Sequence, residues 1–152
     1  MKRALLLLPL LAAAPLLAKE RLGAYQSWAA FKDAEVPRCY AIGAPDESSG
    51  TSGYVSVGFW PKRGLSHQIY VRLSRARNSD AGITLSVGGR RFQLAADGNA
   101  GRAKDRAMDL AIIAAMRTSQ SMSVQSSGIT DAYALRGAAS AIDAAALGCA
   151  GK

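Results

Sequence analysis

The chain has little of what hydrolases and metalloenzymes use. Among 152 residues there is one histidine, His67, and there are two cysteines, Cys39 and Cys149. A serine or cysteine nucleophile needs a base, and His67 alone is available. It adjoins Ser66, and adjacent residues on a strand point to opposite faces. Two cysteines and one histidine do not make an ordinary zinc site, so neither a metal nor a cofactor is expected. Acidic residues are scarce as well: 11 stand against 19 basic ones, a formal net charge of +8. Asp97, Asp105, Asp109 and Asp131 are the carboxylates that glycoside cleavage could draw on, and their spacing favours no pair. On these grounds the chain is expected not to be an enzyme.

Long apolar runs are also lacking after residue 18, which leaves no transmembrane segment in the remainder. The single run is at the start. Lys2 and Arg3 precede Ala4 to Ala18, an uncharged stretch rich in leucine and alanine, and Lys19-Glu20-Arg21 ends it. A basic n-region followed by a short apolar h-region is the pattern of a secretory signal peptide. Residues 1–18 are therefore expected to be a leader cleaved after Ala18, and residues 19–152 a single domain. Export implies a periplasmic or secreted protein in an oxidising compartment, where Cys39 and Cys149 have one possible intramolecular pairing.

What is abundant is alternation. Tyr54 to Trp60 places Val55, Val57 and Phe59 on one face, and Pro61 stops the run. Gln68 to Arg75 repeats the pattern, as do Ile83 to Val87 and Arg90 to Leu94, with shorter candidates at Trp28 to Phe31 and Cys39 to Ile42. Between the third and fourth of these lies Gly88-Gly89. A two-residue glycine connection suits a hairpin turn, because both residues adopt positive φ without strain. That turn sets Val87 opposite Arg90, Leu85 opposite Phe92 and Ile83 opposite Leu94, which gathers the large apolar residues on one face. A phosphate loop would instead lead into a helix.

From Asp105 the period lengthens. Met108, Ile112, Ala115 and Met116 recur at helical spacing, with Asp105 as N-cap, Asp109 in the first turn and Arg117 in the last. Ser121 to Gln125 and Ala132 to Leu135 read as a closing hairpin around Ser126-Ser127-Gly128. Arg136 to Leu147 reads as an alanine-rich last helix that delivers Cys149. The fold class expected is mainly β (α+β). It is an antiparallel β-sandwich or barrel-like domain with two packed α-helices, one a late crossover helix and one C-terminal.

Charge is unevenly spread. Residues 62–106 hold ten basic residues against Asp80, Asp97 and Asp105. On the strands Arg72 shares a face with Tyr70, Trp60 shares one with Tyr54, and Arg91 lies opposite the apolar face of its hairpin. Arg72, Arg91, Tyr70 and Trp60 are the candidate binding residues, because exposed aromatics and guanidinium groups stack sugars or engage a partner. Outside the cytoplasm, nucleic acid is not expected as the partner; an anionic envelope polymer or an acidic protein is.

The order of elements resembles the invasion-associated locus B family of secreted bacterial proteins. The residues that carry the resemblance are Trp28 ahead of Arg38-Cys39, the Val87-Gly88-Gly89-Arg90 hairpin with Phe92, and Asp105-Arg106 leading to Ala114-Ala115-Met116. The run Thr130 to Gly137, followed by an alanine-rich helix and Cys149, completes them. The resemblance implies a periplasmic or exported, mainly β protein that is without a defined chemistry. The chain departs from that pattern in its abbreviated loop at Ser126 to Ile129 and at Ala134, where the family commonly has serine, so a part in host-cell entry is not carried over. The expectation is thus an exported binding protein, with an envelope glycan hydrolase using carboxylates, or an inhibitor of such an enzyme, as the alternative.

Overall fold

The computed structural model describes residues 19–46, 53–78 and 80–150; the expected leader, 1–18, lies outside them. Ten strands form one antiparallel sheet: β1 (Glu20–Tyr25), β2 (Trp28–Asp33), β3 (Arg38–Gly43), β4 (Tyr54–Trp60), β5 (Leu65–Arg72), β6 (Ile83–Val87), β7 (Arg90–Asp97), β8 (Ala100–Arg102), β9 (Ser121–Ser126) and β10 (Ile129–Ala134). Their order across the sheet is β1-β2-β3-β4-β5-β8-β7-β6-β9-β10. Helix α1 (Arg106–Thr118) crosses from β8 to β9 and lies against β5 and β6, while α2 (Ala138–Cys149) lies against β1 to β4. The mainly β architecture with a late crossover helix and a C-terminal helix is as the alternation implied.

The β6–β7 hairpin has the expected register, Val87 with Arg90, Leu85 with Phe92 and Ile83 with Leu94. Gly88 and Gly89 take φ of 58° and 72°, the left-handed values that a tight two-residue turn needs. Inward side chains of both helices and the sheet form one core, with Tyr133, Ile69, Leu73, Ile83, Leu85 and Ile112 among its largest fully buried members.

The sheet curls until its ends meet. Strand β10 runs past the ends of β2, β3 and β5 and is pinned there three times. Trp28 Nε1 donates to the Ala134 carbonyl at 2.9 Å. Asp46, just beyond β3, donates its N–H to Ala132 O and accepts from Ala134 N. Ser74, just beyond β5, donates both its N–H and its hydroxyl to the Asp131 carboxylate. The curl makes the domain barrel-like, and among the described residues no ladder joins β10 to β1.

Cys39 and Cys149 form the disulfide, which ties β3 to the last turn of α2 across 110 residues. Several boundaries differ from the sequence reading. The strand expected over Gln68 to Arg75 starts earlier and stops at Arg72, because Leu73 N turns to the carbonyl of Asn99. The last helix starts at Ala138 rather than Arg136. Gly137 precedes it at φ 84°, where a Cβ would lie 1.8 Å from the Tyr25 carbonyl oxygen, so only glycine fits. Strands β1 and β8 were not expected at all.

Candidate binding groove

Alternation sorts β2 to β5 into an inward apolar face and an outward face of another character. Phe31, Tyr40, Tyr54, Trp60 and Tyr70 all point outward, between inward Ala30, Ala41, Val55, Val57, Phe59 and Ile69. Cross-strand pairing then sets outward neighbours side by side: Phe31 faces Tyr40, Tyr54 faces Arg72, and Tyr70 faces Arg102. These pairs make contact. The Phe31 and Tyr40 rings stack at 5.6 Å, and those of Tyr54 and Tyr70 meet at 5.7 Å. The Arg38 guanidinium lies 4.8 Å above the Tyr40 ring, and that of Arg102 5.3 Å above Tyr70. Cation–π contacts of this kind hold a long side chain in place without removing its charge from solvent.

Trp60 owes its position to a glycine. A Cβ on Gly58 would stand 2.4 Å from the Trp60 ring, so the indole occupies the space over the strand where no side chain rises. A register shift between Gly58 and Trp60 re-aims the end of β4 at the same place.

Two hollows result. The first, of about 610 Å³, is walled by Tyr40, Trp60 and Tyr70 with the cations Lys19, Arg38, Arg63 and Arg102. The second, of about 670 Å³, is bounded by Trp28, Tyr54 and Arg72 with Gln26 and Ser27. Ile42 and Tyr54 belong to both, so the hollows adjoin as one groove. Among the described residues one carboxylate lines it, Asp109, which is buried and accepts a 2.8 Å hydrogen bond from Ile69 N. Burial raises the Asp109 pKa above the ordinary aspartate value, and the Ile69 N–H partly offsets it. Burial likewise pushes the Tyr54 phenol up, helped by Tyr70 and opposed by Arg72 and Arg38.

Of the four residues expected to bind, Trp60 and Tyr70 line the first hollow and Arg72 the second. Arg91 is exposed and outward too, but it pairs with Ser86 near the glycine turn and lines neither hollow. Alternation gives a residue's face and not its distance from the site. The expectation passed over Arg38, Arg102, Tyr40 and Tyr54. Their signal was present as outward positions on successive alternating runs, and β8, which carries Arg102, has only three residues.

Three of the four carboxylates that hydrolysis could draw on are engaged in the framework, and Asp97 is exposed at the end of β7. Asp105 caps α1 by accepting from Met108 N, Asp131 holds Ser74, and Asp109 holds Ile69 N. The Ser66 hydroxyl accepts from Arg106. His67 sits at φ 58° with its ring edge-on to Phe59 at 4.8 Å, and its buried Nδ1 has no hydrogen-bond partner. Burial, then Arg106 and Arg117, lower its pKa against the pull of Asp143. Among the described residues no hydrogen bond to that Nδ1 orients the imidazole. Among the described residues no cluster of histidine, cysteine and carboxylate could hold a metal ion, and no helix is long and apolar enough to cross a membrane.

No family model, curated protein or solved structure matches the chain.

Proposed function

We propose that this is an exported envelope protein that acts by binding, and that it engages anionic envelope material through the groove on the outward face of β2 to β5. One observation carries the reading: aromatic rings and at least four cations share that groove with, among the described residues, a single carboxylate already bonded to the backbone. Exposed charges of one sign raise the local concentration of opposite charge and steer its approach. The disulfide suits an oxidising compartment. Removal of residues 1–18 would free the α-amino group of Lys19 at the groove wall and add a further positive charge there. Membership of the invasion-associated locus B family is part of this proposal and rests on the motifs quoted above.

The reading is tested by sedimenting the purified domain with envelope fractions over a salt series. Exposed charges are screened over about 8 Å at physiological ionic strength, so retention should fall steeply as salt rises. Binding that ignores salt, or no binding at any salt, defeats it.

A further inference from the structure

The groove has a length and a pattern of groups that narrow its ligand, and this inference rests on the binding reading just given. It crosses β8, β5, β4, β3 and β2. At about 4.8 Å between neighbouring strands that is a path of roughly 19 Å. Cations line both hollows, Arg102, Arg63 and Arg38 the first and Arg72, on the strand beside Arg102, the second. The floor also presents hydroxyl and amide groups, Ser56 and Gln68 in the first hollow and Ser27 and Gln26 in the second.

These features suit a chain that repeats a negative charge and carries hydroxyls between charges. A nucleic acid strand has repeating charge as well, but its bases need open ring faces on which to stack. Here the Tyr70 face is covered by Arg102, and the Tyr40 face is shared between Arg38 and Phe31. Guanidinium groups bind carboxylates through paired N–H donors, and hydroxyls and amides serve sugar hydroxyls. Trp60, over Gly58, offers a platform for the apolar face of a sugar ring. We infer that the two hollows form one extended site for a linear acidic polysaccharide, whose carboxylates are held by Arg102 and Arg72, Arg38 being already paired with Asp33 at 3.7 Å, and one of whose sugars packs on Trp60.

Polygalacturonate, with a carboxylate on every sugar, is the probe, and its fully methyl-esterified form and an oligothymidylate are the comparisons. Each is titrated into the full domain at low and physiological salt by calorimetry. Polygalacturonate should bind, and the esterified chain at least about tenfold more weakly, since charge-assisted hydrogen bonds are each worth about a factor of ten or more. Arg72→Ser with Arg102→Ser should weaken binding at least about tenfold for the same reason, while Arg90→Ser with Arg91→Ser, the same loss of two charges at exposed positions that line neither hollow, should not. Gly58→Ala displaces the Trp60 ring without touching any charge and should also weaken binding; a melting curve close to that of the parent separates this from misfolding. Tighter binding of oligothymidylate overturns the inference in favour of nucleic acid, and equal binding of the ester overturns it outright. If envelope fractions are retained in a salt-dependent way but polygalacturonate is not bound, this inference fails and the binding reading stands. If neither is bound, both fail.

Discussion

The two halves of the sheet obey one rule inward and different rules outward. On β6, β7, β9 and β10 the outward rows read Arg91-Ser86-Ser123-Ala132 and Gln93-Thr84-Gln125-Thr130 across the strands. They are short polar side chains with one cation, and Gln93 Nε2 bonds Thr84 Oγ1 on the surface. On β2 to β5 the corresponding positions carry Phe31, Tyr40, Tyr54, Trp60 and Tyr70. Both halves bury alternating Val, Ile, Leu or Phe against helices or each other. Serine and threonine therefore suffice for the outward face of this fold. Five outward aromatics on one half answer to something other than folding, which is why the groove, and not the excess of charge alone, carries the functional reading.

The comparison breaks most sharply at the disulfide. Helix α2 covers β1 to β4, and Cys149 anchors it to β3. Replacing both cysteines by alanine releases a loop of 110 residues, and the chain-entropy treatment puts the loss at about 4–5 kcal/mol. Thermal melting should register that loss, and hydrogen exchange should place it unevenly. Amides of β2 and β3 should gain exchange well before those of β6 and β9; equal acceleration in both halves would mean that they do not differ in this way.

Two glycines under tryptophans give the next contrast. A Cβ on Gly43 would stand 2.6 Å from the Trp28 ring, which is 2% exposed and held by its bond to Ala134. Overpacking of that kind costs about 1–3 kcal/mol, so Gly43→Ala should lower the melting temperature by several degrees. The Trp60 ring above Gly58 is partly exposed and no hydrogen bond to it is seen among the described residues, so Gly58→Ala should cost less stability than Gly43→Ala while its binding falls. Equal melting losses in the two variants would put Trp60 in the framework and not in the groove.

Asp109 provides a pH test. Its folded-state pKa is raised by burial above the ordinary 3.8 of aspartate, so the folded protein holds this proton over a window in which the unfolded chain has released it. The contribution of this group is therefore greatest below pH 3.8 and is lost as pH rises from there through the raised value. Asp109→Asn keeps an acceptor for Ile69 N and removes the charge. It should be neutral or stabilising at pH 7 and should flatten this part of the profile. Asp109→Ala leaves that N–H unpaired and should cost about 1–3 kcal/mol. The smallest effect is expected at Arg91, on the polar half. Arg91→Ser should change groove binding only through long-range charge, by less than about twofold at physiological salt.

Much of the architecture was legible in the sequence, because period-two alternation and the Gly88-Gly89 turn leave one register that keeps Leu85, Phe92, Ile83 and Leu94 together. Strand β1 was not, since Glu20–Tyr25 does not alternate and its ladder shifts register between Arg21 and Gly23. Strand β8 was hidden by its shortness. Asp109 was read as a favourable charge in the first turn of a helix. Its spacing with Ile112, Ile113 and Met116 is that of one helix face, and that face is buried. The groove was half legible. Parity showed which side chains point outward, but the pairing of β5 with β8, which brings Arg102 over Tyr70, joins segments 30 residues apart with no local signal.

The bonds that pin β10 have a consequence for the order in which the chain acquires its shape. Most ladders join strands that follow one another, so hairpins can form locally and early. The contact from Trp28 to Ala134 spans 106 residues, and the disulfide spans 110. A chain that emerges from its N-terminus must hold β1 to β5 open, with Trp28 lacking its partner, until β10 and α2 arrive. The binding face would thus be the first part to be made and the last to be locked, and burial of Trp28 should lag behind strand formation during refolding.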